Sequence, residues 1–224
     1  MTFPTQGSFS QAERVEPLSK LIFHLGMSLL VAALAGVLGL IFVPAESPLF
    51  FLALVVELAM IVGAVIVRAR GGAVGYGFLY AFTAVTGFAL AFPIFAYVSV
   101  LGGQLVAAAA GITAVSFLAL SWYASRAESD FSFLGGFLFV GTIGLVLVGL
   151  LGLFLPMGPI MNYVYTIGGI AIFTGWILYD ISQYKNGVPA RDLPMAVLNV
   201  YLDVVNLFLF ILRLMAILTG NSRS

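Results

Sequence analysis

Three carboxylates interrupt long apolar runs in this chain: Glu57 in the second run, Asp180 near the end of the sixth, and Asp203 inside the seventh. An ionisable group within an apolar span is costly, so it turns to the interior of a helix bundle and takes a partner there. Arg68 closes the run that holds Glu57; at about 100° per residue the two fall roughly 20° apart around a helix axis and share a face. In "NVYLDVVNLFLFILRLMAIL", residues 199–218, the side chains of Asn199, Asp203 and Asn206 lie within about 60° of one another. They make a polar stripe on a helix otherwise built of Leu, Val and Phe, with Arg213 breaking the run near its end. That stripe is expected to face inward. A capping role does not account for Asp203, because Asp192, two residues before Pro194, is better placed to cap that helix. Interfacial water is the competing explanation for Asp180 in "GWILYDISQY".

The chemistry open to these groups is limited. Two carboxylates close together in a low dielectric repel when both are charged, and they tend to share a proton. Such a pair responds to pH without histidine, and an arginine beside it would favour the ionised forms. Asp180, Asp203 and Arg68 therefore make a two-state element. The same oxygens suit a hard cation such as calcium. Three acids are too few for a tight dedicated site, so Asp180 and Asp203 are expected to hold calcium weakly and transiently, in a leak pathway shared with Glu57, Asn199 and Asn206. Enzymatic readings are weak. Inward aspartates on adjacent helices are a feature of intramembrane aspartyl proteases, but the residues that should be glycine are Ile181 and Val204. No HExxH, GxSxG or phosphate-cradling loop occurs. No catalytic residues are expected and no cofactor is expected to be tightly bound.

The elements that must position these residues are apolar helices. Of the 224 residues, 62% are hydrophobic and 8% charged, against about 25% charged in a soluble domain. Seven runs reach the roughly 20 residues that a spanning helix needs: 21–43, 48–67, 76–98, 104–124, 133–155, 158–183 and 195–218. Their connections are short, which predicts one antiparallel bundle. The expected organisation is a polar arm at 1–18, a seven-helix transmembrane domain at 19–220 and a short tail at 221–224. Small residues along the runs, such as Ala32 with Gly36, allow close helix packing. Continuous apolar runs exclude an outer-membrane barrel, whose strands alternate. Lys and Arg occur in the arm and in the connections after runs two, four and six, and are absent from those after one, three and five. By the positive-inside rule the N-terminus is cytosolic, and seven full spans put the C-terminus outside. There is no cysteine, hence no disulfide or thiolate site, and no basic stripe for nucleic acid. The lone His24 is read as a packing or interfacial residue.

"WILYDISQYKNG" at 176–187, followed by "NVYLDVVNLFLFILRLM" at 199–215, resembles the paired C-terminal motifs of the Bax inhibitor-1 (transmembrane Bax inhibitor motif) family. The resemblance implies an all-α polytopic membrane protein, a seven-transmembrane helix bundle whose last helix is central and surrounded by the other six. It implies a pH-sensitive calcium leak, with Asp180 and Asp203 as a hydrogen-bonded sensor dyad, Arg68 as a latch on that dyad and Glu57 along the pathway. The chain ends in "TGNSRS" without the basic tail of animal members, which argues against anti-apoptotic partner binding and for a prokaryotic member. The expected setting is a bacterial inner membrane, as a monomer, with the lipid bilayer, calcium and protons as partners. Two alternatives stand beside the leak channel: a regulator that binds a membrane protease or its clients, and a proton-coupled cation transporter.

Overall fold

The computed structural model describes residues 14–44, 47–128, 131–152 and 154–220. Residues 1–13 of the expected arm and the tail at 221–224 lie outside the described residues. In chain order the elements are β1 (Val15–Glu16), α1 (Leu18–Phe42), α2 (Leu49–Ala69), α3 (Tyr76–Leu101), α4 (Gly103–Arg126), α5 (Gly135–Leu151), α6 (Pro159–Tyr184), β2 (Val188–Pro189) and α7 (Leu193–Leu218). A single 3-10 turn at Ser132–Leu134 leads into α5. The two short strands pair antiparallel, with Val15 opposite Pro189 and Glu16 opposite Val188.

Each expected run is a helix, because in hydrocarbon every backbone N–H and C=O must be satisfied within its own segment. Proline stands in the first turn of α6 (Pro159) and of α7 (Pro194), where a missing N–H costs nothing. The largest difference from the sequence reading is at the end of the fifth run, expected to reach 155. The helix α5 stops at Leu151, where Gly152 follows and Pro156 lies just beyond. Both residue types disfavour continuation of a helix.

Among the described residues seven helices are long and apolar enough to cross a membrane. The outer faces carry Phe51, Phe133 and Ile160 at 71, 76 and 82% exposure, an apolar surface that only a bilayer can cover. Of the most apolar stretch of α7, 61% is buried, against 6–33% for the other six helices. So α7 is the central helix. It packs directly on α1, α3, α4 and α6, while α2 leans mainly on α3 and α5 on α6. The ring around α7 thus has four members in contact and two standing behind them. The core holds Tyr201, Phe82, Leu21, Ile177 and Leu198, all with essentially no exposure. At the contact between α1 and α3 the backbones meet at Gly87, where an added Cβ would collide with the Ala32 carbonyl.

Candidate functional site

One hydrogen bond marks the register of the two helices that carry the aspartates. Asn199 Nδ2 on α7 donates to Tyr184 Oη at the end of α6, at 3.3 Å. Asp180 lies four residues deeper than Tyr184, and Asp203 four residues deeper than Asn199. In antiparallel neighbours this puts both carboxyls at one level. Asp180 shares the buried face of α6 with Ile177 and Ile181, and Asp203 that of α7 with Val200 and Leu207, the spacing at which helical side chains lie on one side. The two aspartates are 5 and 7% exposed, and the hydrogen bond expected between them is not made among the described residues. Asp203 Oδ2 is buried and has no hydrogen-bond partner among the described residues. The ion pairs there, Lys20–Glu16 and Arg68–Asp192, involve neither aspartate.

Arg68 does not sit on the pair. Its Nη1 is 3.0 Å from Asp192 Oδ1 at the head of α7. The dyad latch expected for Arg68 is therefore not made in this arrangement, because Asp192 lies closer to the end of α2 and is itself partly open to water. The expected cap is corrected by the same contact. Asp192 occupies the cap position of α7 but makes no capping hydrogen bond through its side chain, which is turned to Arg68. Arg68, Tyr184, Asp192 and Asn199 line a vestibule of about 250 Å³ at this end of the bundle.

Glu57 is half-buried and bound to α3. It accepts a 2.8 Å hydrogen bond from Thr86 Oγ1, whose oxygen also lies 3.1 Å from the Phe82 carbonyl. A hydroxyl carries one proton, so Thr86 serves Glu57 or Phe82 at a given moment. Tyr201 is fully buried with its ring edge-on to Phe82, and its hydroxyl has no partner among the described residues. Glu57 and Arg68 share a face by spacing, yet they engage different neighbours. The polar stripe divides as well: Asn199 opens on the vestibule, whereas Asn206 donates to the Leu202 carbonyl and borders a separate cavity with Thr142 and Tyr165.

Several of these groups escape a reading of the sequence. Thr86 and Tyr201 look like ordinary core residues in their runs. Tyr184 had a usable signal, since Asp180–Tyr184 and Asn199–Asp203 are mirrored four-residue spacings on consecutive helices. At the opposite end Arg213 donates to Asn162 Oδ1 from Nε at 2.9 Å and Nη2 at 2.6 Å, and its guanidinium lies 4.9 Å over the Tyr165 ring. An arginine interrupting an apolar run marks it, but its partners come from α6 and from Met157 just before it. His24 packs against Tyr76 and is 2.7 Å from Tyr80 Oη, the packing role expected of it.

A central helix with an aspartate at its buried face, matched by another on its neighbour, defines a polytopic α-helical membrane protein with ionisable groups held inside the bundle. The family model described as "Inhibitor of apoptosis-promoting Bax1" matches residues 16–220, and the chain belongs to the Bax inhibitor-1 family. It is 32% identical over 149 residues to "Bax inhibitor 1" of Schizosaccharomyces pombe, covering 66% of this chain and 54% of that protein. It is 29% identical over 228 residues to an uncharacterized membrane protein of Vibrio cholerae, covering 99% of this chain and all of the relative. Over 106 residues it is 36% identical to a vaccinia virus protein named Golgi anti-apoptotic protein, covering 47% of this chain and 44% of that one. The chain thus aligns with about half the length of the yeast and viral relatives and with the whole of the bacterial one.

Proposed function

We propose that this protein is a pH-sensitive calcium leak channel of the cell membrane, gated by the proton shared between Asp180 and Asp203. The observation that supports it is the level placement of two buried carboxylates beside the central helix, with no cation paired to either among the described residues. Two charges so placed repel strongly, since a protein interior screens them far less than water does. One shared proton removes that repulsion and lets α6 and α7 close on each other; its loss pushes them apart. Calcium would pass between oxygens of Asp180, Asp203 and the vestibule amides, held weakly enough to leave. The N-terminus lies in the cytosol, the vestibule opens to that side, and a bacterial inner membrane is the setting that fits the full-length match to the Vibrio protein.

The test is calcium uptake into proteoliposomes at several pH values, for the parent and for Asp203→Asn. The parent should pass calcium with a pH-dependent rate, and the asparagine variant should fold normally and lose that dependence. A variant that titrates like the parent removes Asp203 from the sensor. Stoichiometric proton counter-movement would instead identify a coupled transporter. A protein that passes no calcium at any pH would leave the regulator of a membrane protease as the reading to pursue.

A further inference from the structure

The connection between α6 and α7 is gripped from two sides along five consecutive residues. Val188 and Pro189 pair with Glu16 and Val15 of β1. The Ala190 amide donates to the Arg14 carbonyl at 2.8 Å. The Arg191 guanidinium donates to the Gly71 carbonyl in the α2–α3 connection, and Asp192 takes Arg68 from the end of α2. Gly187 lets β1 come this close. Its φ is +99°, and an added Cβ would stand 3.0 Å from the Glu16 carbonyl oxygen, so no other residue fits without strain. Beneath this segment lies the vestibule, walled by Arg68, Asp192 and Met195 and leading to Tyr184 and Asn199 one turn above the aspartates.

We propose that residues 188–192 form a clasp that closes the vestibule, and that the Arg68–Asp192 pair is its release point, with Asp192 the residue that positions the arginine. The other four joints each use at least one backbone group; this one alone among them is made by two side chains. Those side chains are 55 and 37% exposed, and exposed ion pairs are weak and screened by salt. The strand pairing keeps the segment attached to β1 while the pair parts, which leaves the Arg191–Gly71 hydrogen bond as the one remaining named joint on the α2 side, a pivot about which α2 moves away and the vestibule opens to water. The purpose of the clasp, control of ion entry, rests on the leak reading; its existence does not.

The experiment uses the full chain, which has no cysteine, with Met195→Cys as a reporter inside the vestibule. Its modification by a membrane-impermeant thiol reagent is timed in lipid nanodiscs. The salt is set at about 0.01 M, where the Debye length is roughly 30 Å, and at about 1 M, where it is roughly 3 Å. With Asp192 and Arg68 intact, labelling should be slow at low salt and several-fold faster at high salt. Asp192→Asn and Arg68→Gln should each label fast at both, and the exchanged pair, Arg68→Asp with Asp192→Arg, should restore slow labelling at low salt. Thermal melting of every variant accompanies the rates. Parental labelling rates in both Asp192→Asn and Arg68→Gln, in protein that melts normally, would overturn the clasp. Labelling that follows the expected pattern in a protein that passes no calcium would uphold the clasp and remove the leak reading.

Discussion

The contact between α1 and α3 makes a demanding prediction, because two glycine-to-alanine changes should act in opposite directions. At Gly87 a new Cβ meets the Ala32 carbonyl oxygen, a backbone atom that no side-chain rotation can move, and across the same contact Gly36 stands against the Gly87 carbonyl. Relief requires the two helices to separate. Overpacking of this kind costs about 1–3 kcal/mol, and a backbone obstacle belongs at the upper end. At roughly 2–4 °C per kcal/mol for a chain of this size, Gly87→Ala should melt about 4–12 °C below the parent. At Gly26 a new Cβ meets nothing within 4 Å. There alanine gains its helix propensity, up to about 1 kcal/mol, and Gly26→Ala should melt at or a few degrees above the parent. The assay is loss of helical circular dichroism on heating in one detergent. Thr86 is the neighbour of Gly87 and holds Glu57, so on the proposed leak function Gly87→Ala should also slow calcium uptake. A Gly87→Ala protein as stable as Gly26→Ala would refute the backbone-to-backbone packing of α1 and α3.

Among the described residues the buried Tyr201 hydroxyl has no hydrogen-bond partner, a condition that costs about 1–3 kcal/mol, so Tyr201→Phe should raise the melting temperature; a fall of several degrees would mean that the hydroxyl is bonded. On the proposed leak function, Glu57→Gln should lower calcium flux with little change in its pH dependence, and Thr86→Val should do the same in part by removing the 2.8 Å hydrogen bond; a large change in pH dependence would move Glu57 into the proposed sensor. For topology, single cysteines at Ser47 or Gly103 should react with an impermeant reagent from outside the cell and one at Asn186 from the cytosol, and reaction of Gly103 from the cytosol would reverse the orientation.

Helix number and position are legible along the chain because the bilayer imposes one length and one backbone solution on every span. A run such as 21–43 can only be what α1 is. The inward face of α7 is legible too, since Asn199, Asp203 and Asn206 interrupt a stretch that lipid would reject on that side. Partners are another matter. That Arg68 meets Asp192 rather than the aspartate pair depends on where the α6–α7 connection rests, and that connection is drawn over by β1 from far away in the chain. Spacing along α2 gives Glu57 and Arg68 a common face; it carries no information on which neighbour supplies Thr86 or Asp192. The level of Asp180 with Asp203 comes from the packing of α6 on α7, which the Asn199–Tyr184 bond reports. Periodicity describes one helix at a time, whereas the pair, the vestibule and its clasp arise from the offsets between helices, which packing sets.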